Sequence, residues 1–378
     1  MRILLINSEY PPVGGGASNA TAYLSQAFIR AGHDIVVLTT RFADLPLDSF
    51  DGEVRVIRCR ARRRERDRSN AFEQVRFMFL AVPAILRLAR HWRPDASIAF
   101  FGIPSGPAAW MLRLFHRVPF IVSLRGGDVP GFRPEDFRLY HRLAAPLIRF
   151  IWRRADAVVA NSDGLRRLAA SFDGAVSIEV IPNGVALEEF DQSKRNWTAA
   201  RILIVGRLAY QKGIDLLLQS LVELKELAWT LSIVGDGPEK PELERMVDIL
   251  ELKERVTFQG WMDKASVHAQ LAQATLFAYP SRDEGMPNAV LEAMAAGLPV
   301  IATHIAGNEE LILHGKNGLL VPKDDSNALR DALRELIPDA QQRARMGAAS
   351  RAIVEGKYSW QRTALEYLEL IEKIKETA

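Results

Sequence analysis

Arg2-Ile3-Leu4-Leu5-Ile6-Asn7 decides the fold, because it returns near mid-chain as Arg201-Ile202-Leu203-Ile204-Val205-Gly206. Each is a short unbroken apolar run that leads into a polar or glycine-bearing loop and then a helical stretch. Unbroken runs of this length belong to parallel strands covered on both faces, since a half-exposed strand alternates. Further strands are expected near 34–39, 54–58, 95–100, 119–124, 156–160 and 177–181, with helices between them, notably over 17–31, 70–92, 104–116 and 135–153. The second half predicts strands near 229–234, 255–259, 275–279, 299–303 and 318–321, again with helices between. This alternation describes an α/β chain with two open parallel sheets, each Rossmann-like, and two domains with a cleft. The boundary is expected after Ile181-Pro182-Asn183-Gly184, across the polar stretch Glu188 to Thr198, giving domains 1–185 and 198–358. The last helix carries Leu365, Leu368, Leu370 and Ile371, so one of its faces must dock.

At 378 residues the chain is long enough for two separate cores. A net charge of +3 is too small to imply a nucleic-acid partner. The single cysteine, Cys59, excludes an internal disulfide and a cysteine-based metal centre, and fits a reducing compartment. The seven histidines are scattered with no ligand spacing, so no metal site is expected. The start runs straight into Ile3-Leu4-Leu5-Ile6, with no signal-peptide pattern, and no apolar run reaches the ~18 residues of a spanning helix. The expectation is a cytoplasmic protein, with peripheral contact at the inner face of the membrane.

In such sheets ligands sit beyond the carboxyl ends of the strands, and four motifs lie there. Glu284 to Gly297 reads E-G-M-P-N-A-V-L-E-A-M-A-A-G, with two carboxylates, Glu284 and Glu292, around a turn and a helix start. Pro287 and Asn288 suit that start, and Gly297 its end. Glu292 is then expected in the first helical turn, near amides that attract an anion. Carboxylates for hydroxyls beside amides for phosphate describe a sugar nucleotide; the plainer reading is a capped helix entering a buried strand. Gly206-Arg207-Leu208 with Gln211-Lys212-Gly213 offers two cations that could converge on a diphosphate, or two solvated surface cations. Gly235-Asp236-Gly237-Pro238 allows positive φ and a close backbone approach to a flat ligand, or is an ordinary strand-to-helix turn. Gly14-Gly15-Gly16 exposes amides at a helix start. It is not G-x-G-x-x-G, and Leu38-Thr39-Thr40 lacks the acid that holds an NAD ribose, which argues against a dehydrogenase.

The ordered set of Gly14-Gly15-Gly16, G-R-L-x-x-x-K-G, G-D-G-P and the E-x7-E pair resembles the GT-B retaining glycosyltransferases of the family-4, group 1 type. The resemblance covers essentially the whole chain, including Ile181 to Val185 and Tyr358-Ser359-Trp360. It implies that helix 360–378 crosses back onto the N-terminal domain, and that no cofactor or metal is required beyond a UDP- or GDP-sugar donor. It implies that Arg207 and Lys212 bind the donor diphosphate, with Gly206 beside them, and that Glu292 holds the ribose. Glu284 with the segment Gly285, Met286, Pro287 and Asn288 would hold the transferred sugar, and Asp236 and Gly237, with Gly235, would line the nucleotide pocket. Gly15 and Gly16 would approach the diphosphate from the N-terminal domain. The catalytic set is thus Arg207, Lys212 and Glu284. One departure stands out: where many relatives carry a histidine, this chain has Arg125, which cannot act as a base at neutral pH. Asp128 could orient an acceptor hydroxyl or cap a turn.

The acceptor is expected to be a saccharide or a lipid-linked saccharide, in the synthesis of a cell-surface polysaccharide or glycolipid. The basic run Arg58 to Arg68 precedes a helix with Phe72, Val75, Phe79, Val82, Leu86 and Ala89 on one face, and with Phe77, Met78 and Leu80 besides. Such a segment can rest on an anionic membrane, or the helix can pack on the sheet. Two rival readings are a sugar-nucleotide epimerase of the same architecture and a non-catalytic nucleotide-sugar binder.

Overall fold

A parallel strand buried on both faces cannot stand alone, and in both halves of this chain helices between the strands supply the cover. The computed structural model describes residues 1–65, 69–190 and 195–377. They divide into two units, Met1–Gly184 with the segment from Trp360, and Val185–Ser359. The polar stretch expected to bridge the domains therefore belongs to the second unit, and its residues 191–194 lie outside the described ones.

In the first unit the strands are β1 (Arg2–Ile6), β2 (Asp34–Phe42), β3 (Asp48–Asp51), β4 (Val54–Arg63), β5 (Ala96–Phe100), β6 (Phe120–Leu124), β7 (Ala157–Ala160) and β8 (Ile178–Val180). Its helices are α1 (Gly16–Arg30), α2 (Ala71–Trp92), α3 (Gly106–His116), α4 (Pro134–Arg154) and α5 (Asp163–Phe172). The sheet runs β3-β4-β2-β1-β5-β6-β7-β8, parallel except for β3, which pairs antiparallel with β4. That edge strand was absent from the sequence expectation. The signal for it was Gly52, at φ +60, in a two-residue turn between Asp51 and Val54, a glycine-first hairpin.

The second unit has strands β9 (Ala200–Val205), β10 (Trp229–Val234), β11 (Val256–Gly260), β12 (Leu276–Tyr279), β13 (Val300–Thr303) and β14 (Gly318–Val321). Its helices are α6 (Ile214–Val222), α7 (Lys240–Ile249), α8 (Lys264–Gln273), α9 (Asn288–Ala295), α10 (Asn308–Leu311), α11 (Ser326–Leu336) and α12 (Ala340–Lys357). Its sheet is parallel throughout, in the order β11-β10-β9-β12-β13-β14. Ile202, Leu203 and Ile204 are each 1% exposed, as runs without alternation require.

Two helices depart from their expected faces. In α2 the buried stripe is Phe77, Ala81, Ile85 and Ala89, at spacing four, while Phe72, Val75 and Phe79 are exposed. The expected single face mixed residues of both kinds, because nearly every side is apolar. An Asn70–Glu73 capping box fixes the helix start. The helix from Trp360 to Thr377, α13, returns to the first unit. There Trp360 stacks on Tyr23 of α1, with centroids 5.6 Å apart, and Thr363 donates to the Pro182 carbonyl at 2.9 Å. The buried side holds Ala364, Tyr367, Ile374 and three of the four expected residues, Leu368, Leu370 and Ile371, whereas Leu365 faces solvent.

The Tyr367 hydroxyl meets the buried Ser123 hydroxyl of β6 at 2.7 Å, across 244 positions of chain. Tyr367→Phe leaves Ser123 unsatisfied and is expected to cost about 1–3 kcal/mol, read as a lower midpoint in chemical unfolding. An unchanged midpoint would show that this bond does not hold the returning helix.

Candidate active site

In the second unit the chain winds from β9 through β10 to β11 on one side, then resumes at β12 on the other side of β9. The loops leaving β9 and β12 therefore diverge, and a crevice opens beyond their carboxyl ends. Gly206, Arg207, Gln211 and Lys212 leave β9; Ser281 to Asn288 leave β12.

The backbone of these loops is laced together tightly. Leu208 N–H donates to the Asp236 carbonyl at 2.9 Å, and Glu239 N–H donates back to Leu208 at 3.0 Å. A Cβ on Gly235, whose φ is +136, would run into the Gly206 carbonyl, and one on Gly237 into the Leu208 carbonyl. These glycines were expected to admit a flat ligand. What they admit in the structure is the neighbouring loop. Gly213, at φ +63, likewise lets the turn after Lys212 pass against the Pro280 carbonyl.

Around that lacing the charged groups meet. Lys212 Nζ lies 2.6 Å from Glu284 Oε1 and 2.6 Å from the Tyr279 hydroxyl. The same carboxylate oxygen accepts from the Tyr279 hydroxyl at 3.0 Å and the Ser281 hydroxyl at 2.7 Å. Lys212 and Glu284 are mostly buried, and Tyr279 is 2% exposed. Burial, then the Glu284 charge, holds the Tyr279 phenol well above its ordinary value. Tyr279 and Ser281 were not foreseen; Tyr279-Pro280-Ser281 at a strand end was their only trace.

Arg282 holds the loop from behind. Nearly buried, it donates to Asp215 at 2.7 and 2.9 Å, to Asp324 at 2.6 Å and to the Tyr210 carbonyl. Burial opposes its charge, but the two aspartates hold the guanidinium above its ordinary value. Gln211 adds backbone ties: its carbonyl accepts from Arg282 N–H at 2.7 Å and lies 2.9 Å from the Ser281 hydroxyl, whose one proton it shares with Glu284. The Lys212–Glu284 pair thus sits on a braced frame. Arg207 is exposed at the mouth of the β9 loop.

Glu292 is corrected in position. α9 begins at Asn288 after Pro287, so Glu292 is its fifth residue, one turn deeper than expected, and the first turn holds no acid. Pro287 has no N–H, so the amide donors of this turn come from Gly285, Met286 and Asn288. The Met286 side chain is part of the core, and Gly307 packs against the Gly285 carbonyl. Near Glu292, Lys264 pairs with Glu189, whose other oxygen lies 4.0 Å from His268. Burial pushes the Glu292 carboxyl up to about 7, opposed by Lys264 and assisted by Glu189.

The first-unit candidates are described on their own. Gly15 precedes α1 with open space around it, and Gly16 is the first helical residue; it is Gly14, at φ +97, whose Cβ would strike Glu9. Arg125 is half-buried: it lies 4.4 Å over the Phe100 ring and donates to Asn183 Oδ1. Both Asp128 oxygens accept backbone amides, from Gly102 at 2.8 Å and Arg125 at 3.0 Å, so the side chain ties two loops together. Burial raises its pKa.

Known proteins resemble this chain over most of its length. Residues 199–339 match the family model for glycosyl transferases group 1, and residues 15–184 match a glycosyl transferase 4-like domain. A glycogen synthase of Mycobacterium tuberculosis is 29% identical over 391 residues, 96% of this chain and 92% of that protein. A GDP-mannose-dependent alpha-(1-6)-phosphatidylinositol monomannoside mannosyltransferase of the same organism is 27% identical over 98% of each chain. Among solved structures, sucrose-phosphate synthase from Thermosynechococcus elongatus superposes with a TM-score of 0.88 at 23% identity over 100% of each chain. Anabaena Alr3699/HepE, solved with UDP-glucose, gives 0.74 at 21% identity over 100% of this chain and 99% of its own. At these identities the structures speak to the fold, which is GT-B.

The Glu292 shift has a sign that can be measured. Its folded value lies above the unfolded 4.5, so the native state keeps the proton longer and is favoured most at low pH. That advantage is lost as pH rises from 4.5 through about 7. Relative to wild type, Glu292→Gln is expected to gain up to about 3 kcal/mol of stability across this window, checked by urea unfolding at several pH values. A difference that does not vary with pH would refute the shift.

Proposed function

The chain belongs to the group 1 glycosyltransferases, and from that premise we propose that it is a retaining enzyme with a UDP- or GDP-sugar donor. The acceptor is a saccharide or a lipid-linked saccharide, in the assembly of a surface polysaccharide or glycolipid. The observation that carries the reading is the Lys212–Glu284 pair, braced at the switch point of the second sheet with Arg207 on the same loop as Lys212.

The bond from the sugar's anomeric carbon to the β-phosphate oxygen breaks, and its electron pair stays with the phosphate. The acceptor oxygen bonds the same carbon on the same face, and its proton passes to the departing phosphate oxygen. Arg207 and Lys212 stabilise the charge that grows on that phosphate, the role in which preorganised donors are worth most. Glu292 accepts from ribose hydroxyls. Glu284 orients Lys212 and the transferred sugar; with Oε1 already accepting three donors, it is held as a hydrogen-bond partner and not as a free nucleophile. In the first unit, Arg125 is no base and both Asp128 oxygens are engaged, which favours the phosphate as proton acceptor. Both named relatives make glycosidic bonds, one on a phosphatidylinositol monomannoside by its name.

A lipid-linked acceptor brings the enzyme to a membrane. No described helix is long and apolar enough to cross one. The exposed Phe72, Val75 and Phe79 of α2, with Arg76 beside them, form a surface suited to anionic headgroups at the cytoplasmic face. Arg66, Asp67 and Arg68 of the basic run lie outside the described residues.

Lys212→Ala is expected to lower kcat by roughly 10²–10³, measured as nucleoside diphosphate release from a panel of UDP- and GDP-sugars with acceptor. Near-normal turnover would remove Lys212 from the mechanism. The paired change Phe72→Ser with Phe79→Ser should reduce co-flotation with anionic vesicles at low salt while turnover on a soluble acceptor is kept. Equal flotation would end the membrane reading.

A further inference from the structure

A lysine reaches its ligand on a flexible four-carbon stem, so the use of Lys212 depends on what holds its ammonium still. The stem runs beside Gly206, where an added Cβ would sit in ordinary contact, 3.5 to 3.9 Å from its methylenes. The ammonium then meets two buried acceptors, the Tyr279 hydroxyl and Glu284 Oε1, each at 2.6 Å. An ammonium has three N–H groups and accepts nothing, so these contacts use two of them. Among the described residues the third N–H has no partner, and the side chain remains 15% exposed.

The direction of each bond around Tyr279 is forced. Lys212 can only donate, so the phenol oxygen accepts from it, and the single phenol proton goes to Glu284 Oε1, 3.0 Å away. Burial, and then the Glu284 charge, holds that proton on the phenol, so the sequence of donation from Lys212 to Tyr279 to Glu284 does not reverse. The ring itself is set: Tyr279 ends β12, is 2% exposed, and stacks on Phe277 with centroids 5.9 Å apart. With two bonds made to a strand end and a braced loop, the ammonium has one orientation and its remaining N–H one direction. A donor held in this way stabilises developing charge without first reorganising.

We propose that Tyr279 is a positioning residue of the transfer reaction: its hydroxyl fixes the Lys212 ammonium and leaves one N–H for the departing phosphate. The inference rests on Lys212 as the cation that meets that phosphate, and goes beyond it, since Tyr279 acts only through Lys212.

Tyr279→Phe keeps the ring and removes only the hydroxyl. Nucleoside diphosphate release with acceptor should fall about tenfold, with donor KM within about twofold, a smaller loss than in Lys212→Ala because the charge stays and only its aim is lost. Free nucleoside diphosphate carries on its terminal phosphate the extra charge that the transition state develops; the linked sugar masks it. By titration calorimetry the variant should lose about tenfold in affinity for UDP or GDP, while UDP-glucose or GDP-mannose stays within about twofold. A purely structural role would not move that ratio, which does not depend on how much of the sample is folded. Phe277→Leu, which loosens the same strand and spares the hydroxyl, should keep the wild-type ratio. In a Lys212→Ala background, Tyr279→Phe should lower turnover no further. An unchanged ratio in Tyr279→Phe, the same shift in Phe277→Leu, or a further tenfold loss in the Lys212→Ala background overturns the proposal while Lys212 keeps its role. Near-normal turnover in Lys212→Ala overturns the role of Lys212, and this inference with it.

Discussion

The second unit depends on backbone meeting backbone where the winding of its sheet reverses. Gly213, Gly235 and Gly237 lie where a side chain would strike a neighbouring carbonyl. That lacing fixes the path of the Gln211-Lys212 turn, and Arg282, held by Asp215 and Asp324, fixes the loop opposite. Only then does an ammonium on one loop find a carboxylate on the other. A buried ion pair gives little net stability, so its place here is better understood as position than as strength.

The strands were legible because both sheets are covered on both faces, which erases alternation and leaves apolar runs that flanking glycines delimit. Arg207, Lys212 and Glu284 could be placed at one end of the sheet for the same reason, since strand ends are where such loops emerge. What stayed hidden depends on partners distant in sequence. Nothing near Tyr279, Ser281 or Arg282 announces that the first two share an oxygen of Glu284, or that the third braces the loop. Glu292 fell one turn deeper because Pro287 precedes the helix, so the second acid of the motif lies in the second turn.

α2 shows why apolar composition misleads about faces. It buries Phe77, Ala81, Ile85 and Ala89 at regular spacing, yet keeps Phe72 and Phe79 out and lends Leu80, Ala84 and Leu88 to a groove. One helix therefore serves the core, an open surface and a cavity wall. A pattern that counts apolar residues sees these three duties as one. Arginine spreads across its neighbourhood in the same way, paired at Arg55, buried at Arg58 and exposed at Arg60 and Arg87.

The return of α13 has a consequence for how the protein is made. The second unit is one continuous stretch, Val185–Ser359, whereas the first is built from two segments that flank it. During synthesis the sheet of the first unit emerges early but must wait, with the surface around Tyr23 and Ser123 uncovered, until α13 has been made. The later-made unit can therefore finish first. A nascent chain of this kind exposes apolar surface throughout its middle age, which is when a chaperone would have most to hold.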